Sequence, residues 1–250
     1  FRVQHPEQKP NWAIVLQGAK GAGKSFLVRM AAAALGRDNV SLVSPQTVQG
    51  SFTSWAYNRL LAVLEELFLH GQNRLAVLNL WKQYITEKRV EIHAKGKDPF
   101  QADNYLSLLA LTNYRNAIPL DKDDRRYMVI VSPFQTDDQV KGLESDHPDY
   151  FNRLFGTLQH AGEIRRWLLD YALGNVSGFD PLGKAPASEG KVMMAEAAAM
   201  LATPTRKGND NRAGLSERSG DGLATQARAM PRPPRATLLH PHWVAWLLGA

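Results

Sequence analysis

The chain has 250 residues, 44% hydrophobic and 22% charged, a composition that excludes a collagen, a coiled coil and a wholly disordered chain. The absence of cysteine excludes disulfides, thiolate metal sites and cysteine nucleophiles. No stretch of about 18 uncharged apolar residues occurs, so no membrane span is predicted. The formal net charge is +6, but residues 1–200 carry 23 Lys and Arg against 21 Asp and Glu, and residues 201–250 carry seven against three. The overall charge is therefore no argument for nucleic-acid binding.

A glycine-rich loop is the strongest motif. Residues 12–17 are an apolar run typical of a strand, residues 18–25 read GAKGAGKS, and residues 26–35 have the pattern of a helix that Gly36 ends. The spacing matches GxxxxGK[ST], in which backbone N–H groups surround phosphates at a helix N-terminus. Lys24 would then lie against the phosphates and Ser25 on Mg²⁺. The alternative is a flexible Gly/Ala turn before a core helix. We assign nucleotide binding to these residues: Gly18, Ala19, Lys20, Gly21, Ala22, Gly23, Lys24, Ser25 and Phe26.

Two consecutive carboxylates follow the next apolar run. Residues 60–64 are all apolar, as in a buried parallel strand, and Glu65 and Glu66 come directly after them. Because neighbouring strand residues point to opposite sides, one carboxylate can hold Mg²⁺ while the other activates the attacking water. We assign Glu65 to the metal, together with Ser25, and Glu66 to the water, although the two roles are interchangeable. The alternative is a helix over residues 55–69 with an exposed Glu pair.

An amphipathic helix over residues 75–85 and then a hairpin are predicted next. Residues 90–95 alternate between apolar and polar, and residues 96–98 supply a turn. The polar face of this hairpin would carry His93 and Lys95, with Lys97 at the tip, an arrangement suited to a nucleic-acid backbone. A solvated hairpin with no partner is an equally good interpretation.

A polar amide and an arginine pair complete the candidates. Asn113 follows an apolar run, residues 105–112, and would hydrogen-bond a terminal phosphate or the attacking water from the carboxyl end of that strand. Its alternative role is to cap the following turn. Arg125 and Arg126 precede a further strand-like run, and arginines at a subunit edge stabilise charge on a neighbour's phosphoryl group. An arginine pair with no role beyond the surface is the alternative.

The order of these motifs resembles the superfamily III helicases, in particular the virus- and phage-type primase-associated helicase domains of the AAA+ ATPases. The resemblance covers roughly residues 10–185. It implies that the glycine-rich loop is the Walker A motif, that the Glu pair is Walker B, and that Asn113 is sensor 1. It further implies that Arg125 or Arg126 is the arginine finger and that Lys95 and Lys97 belong to a DNA-contacting hairpin.

The same resemblance implies a partner set and a location. Members of this family form hexameric rings that hydrolyse ATP with Mg²⁺ and translocate on single-stranded DNA during phage or plasmid replication. We therefore expect a homo-oligomer in the cytoplasm of a bacterial or phage-infected cell. Because the chain begins at Phe1 without an initiating Met, we also expect it to be an internal piece that follows a primase domain.

The C-terminal part changes character twice. Helical patterns near residues 149–158, 163–172 and 191–202 predict a small subdomain whose faces are mostly core. Beyond residue 203, Gly, Pro and Arg replace large apolar residues, a composition typical of disorder. Residues 219–228 and 239–249 resemble the C-terminal tail of phage-type DNA cytosine methyltransferases, with Trp243 and Trp246 as an apolar anchor. Without cysteine, such a remnant cannot be an active cytosine-5 methyltransferase.

The sequence thus predicts an α/β P-loop NTPase fold of AAA+ type, with a central, mostly parallel sheet flanked by helices and a small helical C-terminal part. The expected domains are a core (residues 1–140), a helical subdomain (141–202) and a disordered or chimeric tail (203–250). The predicted function is an ATP-dependent DNA helicase motor. A P-loop small-molecule kinase and a non-catalytic nucleotide- or DNA-binding remnant are the alternatives.

Overall fold

The computed structural model describes residues 1–68, 74–175 and 179–202. The predicted tail, residues 203–250, with its methyltransferase resemblance and its Trp243 and Trp246 anchor, lies outside these described residues. Within them the strands are Ala13–Gln17 (β1), Val40–Val43 (β2), Leu61–Leu64 (β3), Arg89–Ile92 (β4), Phe100–Asp103 (β5), Ser107–Thr112 (β6) and Tyr127–Val131 (β7). The helices are Lys24–Leu35 (α1), Pro45–Gln49 (α2), Arg74–Thr86 (α3), Asp137–Asp146 (α4), Tyr150–Gly156 (α5), Ala161–Asp170 (α6) and Glu189–Ala202 (α7).

Five parallel strands form the central sheet, in the order β2-β3-β6-β1-β7. Strand β1 lies between β6 and β7, with Gln17 level with Thr112 on one side and with Val131 on the other. Strand β6 separates β1 from β3. Since all five strands run the same way, the segments that follow β1, β3 and β6 leave the sheet at one edge, which we call the carboxyl edge.

The sheet is apolar on both faces, as a parallel sheet must be when helices cover it. Along β1, Val15 faces a core that includes Trp81 and Tyr84 of α3, and Leu16 faces a second core that includes Val28 of α1. Helix α7 packs on β7, and a Cβ built on Gly190 would lie 2.6 Å from the backbone oxygen of Val129. Alternation along each strand therefore assigns one face to α3 and α7 and the other to α1.

The predicted hairpin exists, but its lysines are not on a strand. Strands β4 and β5 pair antiparallel with Ile92 opposite Phe100, so residues 93–99 form the connecting loop. Strand pairing stops there because the backbone N–H and carbonyl of His93 bond to Thr53 and because Pro99 has no N–H to donate; Gly96, with a left-handed φ of 73°, lies in the turn. The prediction that His93 and Lys95 lie on the polar face of a strand is wrong; both lie in the loop with Lys97.

The helices after β7 differ from the prediction in two respects. Helix α4, which the sequence reading missed, begins with a capping box between Thr136 and Gln139. The faces of α6 are not core: within Ala161–Asp170, which the structure describes in full, no side chain is buried, and Trp167 is 41% exposed. Helix α6 packs through one side against α1, where the Arg165 guanidinium donates to the carbonyl of Ala34, and leaves its aromatic side to solvent. The domain boundaries stay predictions, and the one at 140/141 falls inside α4.

Over the described part of the chain, no helix combines the length and the apolar character needed to cross a membrane.

Candidate functional site

The glycine-rich loop joins β1 to α1 at the carboxyl edge. Gly21 and Gly23 have φ angles of 80° and 83°, a left-handed conformation that glycine adopts without strain. Helix α1 begins at Lys24, so its first-turn N–H groups and the positive end of its dipole face the loop. Lys20, Gly21 and Ser25 are exposed. The residues therefore fit the phosphates of a nucleotide: glycines give a concave backbone, and the helix supplies donors.

The first residues of the loop are bonded to the end of β6 and to the segment that follows β7. The N–H of Gly18 donates to the carbonyl of Thr112 at 3.1 Å, and the N–H of Ala19 donates to that of Phe134 at 2.8 Å. A Cβ on Gly18 would lie 2.5 Å from the Cβ of Ser132, which explains glycine at a position with an ordinary φ. The N–H of Ala22 donates to the carbonyl of Ala19 at 3.3 Å. Because the N–H groups of Gly18, Ala19 and Ala22 are used within the protein, donors for a ligand must come from the other residues of 20–25.

Phe26 turns away from the loop. Its side chain is buried and meets the Phe155 ring edge to face, with 5.7 Å between ring centroids. Its N–H donates to the carbonyl of Gly23 at 2.9 Å. Its contribution is therefore to anchor the start of α1 in the core.

The ammonium of Lys24 lies inside the loop. Its Nζ donates to the carbonyls of Gly18 and Ala19, at 2.8 and 2.6 Å, and to Oδ1 of Asn113 at 2.6 Å. Burial lowers the pKa of Lys24 to about 8. The structure thus brings together two residues that are 89 positions apart and that the sequence assigned to one phosphate site.

Asn113 reaches Lys24 because β6 is the neighbour of β1. Thr112 is 1% exposed, and its hydroxyl accepts from the N–H of Tyr114 at 3.0 Å. The carbonyl of Asn113 is 3.5 Å from Nε2 of Gln17. These contacts fix the backbone of Asn113, and its exposed side chain extends toward the loop.

Glu65 and Glu66 also lie at the carboxyl edge, but in a turn. Strand β3 ends at Leu64, and Glu66 has a φ of 51°, in the left-handed region that a residue with a Cβ adopts at a cost. The reversal lets the N–H of Leu67 donate to the carbonyl of Leu111 at 2.8 Å. Both carboxylates are exposed. The expectation that they point to opposite sides of a strand is therefore wrong, because neither belongs to the strand.

Arg125 and Arg126 lie at the opposite edge of the sheet, where the parallel strands begin, which we call the amino edge. They precede β7, and Tyr127 is level with Ala13 at the start of β1. At about 3.3 Å per residue, the length of β1 puts the arginine backbone about 16 Å from the loop, beyond the reach of an arginine side chain. Arg126 is half-buried and faces Asp124 at 3.6 Å. Arg125 is exposed, and its side chain makes no hydrogen bond or ion pair within the described residues.

The hairpin is also far from the glycine-rich loop, because its base immediately precedes the amino end of β6. His93 is held by the segment before β3: its N–H donates to the hydroxyl of Thr53, and its carbonyl accepts from the N–H of Thr53, both at 2.9 Å. Its Nε2 is 2.9 Å from a carboxylate oxygen of Glu91. Lys95 and Lys97 are exposed at the loop.

The sequence reading missed the residues that pack on the outside of the glycine-rich loop. A Cβ on Gly21 would lie 3.4 Å from Val140, and one on Gly23 would lie 3.6 Å from Leu154 and 3.7 Å from Phe151. Helices α4 and α5 therefore touch the loop. The capping box of α4 was a usable signal for the helix, but no local pattern indicates what a helix covers.

Comparison with known proteins supports the fold. Residues 16–126 match the model of a family of unknown function, DUF5906. No curated protein matches the chain. The chain is similar to a solved apo structure of the NrS-1 C-terminal region (305–718), with a TM-score of 0.62 and 19% identity over 77% of this chain and 44% of that one. An A-form apo structure of the same region gives a TM-score of 0.60 and 19% identity over 77% of this chain and 43% of that one.

A crystal structure of JCV helicase with a bound compound gives a TM-score of only 0.39 at 12% identity, over 66% of this chain and 54% of that one, too low to support an argument. The chain spans less than half of the NrS-1 region that it matches. The likeness, together with the parallel sheet and its flanking helices, confirms the predicted α/β P-loop NTPase-like fold.

Proposed function

We propose that this chain is the ATPase motor of a DNA helicase of superfamily III type. The observation that carries the proposal is the glycine-rich loop at the start of α1, with Lys24 in contact with Asn113 of the adjacent strand. Backbone N–H groups and a lysine at a helix N-terminus bind phosphate, and a neutral amide beside them can orient a water molecule.

Each site residue then has a role. Residues 20–25 of the loop hold the phosphates, and Ser25 and Glu65 hold Mg²⁺, which prefers hydroxyl and carboxylate oxygens. Glu66 accepts the proton of the attacking water, and Asn113 orients that water. ATP with Mg²⁺ supplies the phosphoryl group whose hydrolysis provides the free energy for movement. The left-handed φ of Glu66 supports a functional role, because strained residues concentrate at active sites.

The position of the arginines favours a homo-oligomer. An arginine at the amino edge cannot reach the loop of its own chain, but it can reach that of a neighbour in a ring. Of the two, Arg125 is the better placed, because Asp124 holds Arg126. We propose a hexameric ring in which Arg125 stabilises the charge on the neighbour's phosphoryl group.

The hairpin is the proposed contact with single-stranded DNA. Lys95 and Lys97 are exposed on one loop and are available to bind phosphates, and His93 is fixed beside them by Thr53. In this proposal the chain acts in phage or plasmid replication in the cytoplasm, downstream of a primase domain.

ATP hydrolysis with and without single-stranded DNA tests the proposal. We expect DNA to raise the rate of ATP hydrolysis and Lys24→Ala to abolish hydrolysis. The control Lys184→Ala, at an exposed lysine outside the loop, should leave the rate unchanged. Hydrolysis that survives Lys24→Ala would exclude this site. Phosphoryl transfer to a small acceptor, with no effect of DNA, would favour the kinase alternative.

Mixed oligomers test the arginine. Arg125→Ala and Lys24→Ala subunits should each be inactive alone, and a mixture should regain activity, because a Lys24→Ala subunit still offers Arg125 to an intact neighbouring site. A mixture that stays inactive, although both variants assemble, would show that Arg125 does not act between subunits.

A further inference from the structure

The ammonium of Lys24 has no donor to spare. A lysine carries three N–H donors, and Lys24 directs them to the carbonyls of Gly18 and Ala19 and to Oδ1 of Asn113, all within 2.8 Å. A phosphate oxygen can therefore bind this ammonium only if one of the three acceptors gives way.

The three acceptors are not equivalent. Two are backbone carbonyls of the loop that carries Lys24, and the N–H groups of the same residues fix that loop to Thr112 and Phe134. The third is a side-chain amide of another strand, and it is exposed. It can rotate away without disturbing backbone hydrogen bonds, and water can then solvate it. Asn113 is thus the acceptor that is lost at the smallest cost.

Loss of the contact between Asn113 and Lys24 has different consequences for a nucleoside diphosphate and for a triphosphate. A diphosphate offers oxygens to Lys24, but it has no terminal phosphate to which the released amide can donate. A triphosphate offers oxygens to Lys24 and also a terminal phosphate for the released amide, since the NH₂ group of an asparagine is a donor and can bind a γ-phosphate oxygen. The cost of releasing Asn113 is then recovered only when the third phosphate is present.

We propose that Asn113 is a latch on Lys24 that weakens the binding of a nucleoside diphosphate relative to a triphosphate. The latch rests on the proposed ATP site and adds a consequence for product release: when the γ-phosphate has left, Asn113 competes with the remaining phosphates for the ammonium. Asn113 acts here as a positioning residue, through Lys24.

Calorimetric titration with ADP and with a non-hydrolysable ATP analogue tests the latch. A hydrogen bond to a charged but solvent-accessible group corresponds to an affinity change of roughly 3- to 10-fold. We expect Asn113→Ala to bind ADP tighter by this factor and the ATP analogue no tighter, so that the preference for triphosphate shrinks. Asn152→Ala, at an exposed asparagine of α5, should change neither affinity. Unchanged or weaker ADP binding in Asn113→Ala would overturn the latch.

A measurement without nucleotide checks the contact itself. In Asn113→Ala the Lys24 ammonium loses one of its three acceptors, so the NMR chemical shift of its Nζ should change, whereas Asn152→Ala should leave that shift unchanged. An unchanged Nζ shift in Asn113→Ala would refute the contact.

The proposed function and the latch fail in different ways. A wild type that binds neither nucleotide, with Lys24→Ala behaving the same, overturns both. If the wild type binds both nucleotides and Lys24→Ala binds neither, but Asn113→Ala binds ADP no more tightly than the wild type, the latch alone is overturned.

Discussion

Raising the pH above 8 should weaken nucleotide binding through Lys24. Burial lowers the pKa of this ammonium to about 8, so the free protein loses the proton as the pH rises through that value. A phosphate beside the ammonium favours the charged form and raises its pKa toward or above its ordinary value. Above pH 8, Lys24 is therefore protonated in the complex but not in the free protein. Nucleotide binding must then be accompanied by the uptake of a proton from solution.

The size of the effect follows from linkage. Below pH 8 the lysine is mostly charged in both states, so affinity is nearly independent of its titration. Above pH 8 the affinity should fall about tenfold per pH unit, which gives about a tenfold loss at pH 9 and about a 30-fold loss at pH 9.5. At pH 8, about half a proton should be taken up for each nucleotide bound.

The free energy of unfolding should change with pH in the opposite sense to the nucleotide affinity. Because burial disfavours the charged ammonium, the contribution of Lys24 to the free energy of unfolding is lowest below pH 8. It rises with pH until the unfolded chain also loses the proton near its ordinary value of 10.5. Weaker binding at high pH is therefore not a sign of unfolding, and a thermal melt at each pH separates the two.

Titration calorimetry in buffers of different ionisation enthalpy measures both the affinity and the proton uptake. Lys24→Arg is the control, because a guanidinium stays charged over this range and its affinity, although lower, should not depend on pH in this way. A wild-type profile that is flat from about pH 7 to about pH 9.5 would refute a lowered pKa for Lys24 at this site.

Three further predictions test the rest of the site. Gly18→Ala should destabilise the fold by roughly 1–3 kcal/mol through its clash with Ser132, and Ser132→Gly should recover much of this loss; additive free energies of unfolding by urea would contradict the clash. Glu66→Asn should leave stability unchanged or slightly raised, because asparagine tolerates the left-handed φ, while ATP hydrolysis falls about 100-fold; full activity would remove Glu66 from the chemistry. Replacing both Lys95 and Lys97 by Ala should reduce the slope of log affinity for single-stranded DNA against log salt by about 1.4, and an unchanged slope would mean that neither lysine binds phosphate.

The sequence determined the local part of the site. The run from the apolar residues of β1 through the glycines to α1 is contiguous, so strand, left-handed glycines and helix start could each be inferred from neighbouring residues. Asn113 was also correctly expected at the carboxyl end of a strand. The roles assigned to Glu65, Glu66 and the two arginines remain predictions, since residue type and order alone support them.

The order of the strands decided the rest. Asn113 meets Lys24 because β6, far away in sequence, packs directly beside β1, and Glu66 turns back because Leu67 bonds to the end of that same strand. Hydrophobic periodicity tells which face of a strand or helix is apolar, but not which element covers it, so the exposed aromatic side of α6 and the contact of Phe151 with Gly23 could not be anticipated. Those choices belong to packing between distant segments, which no local pattern records.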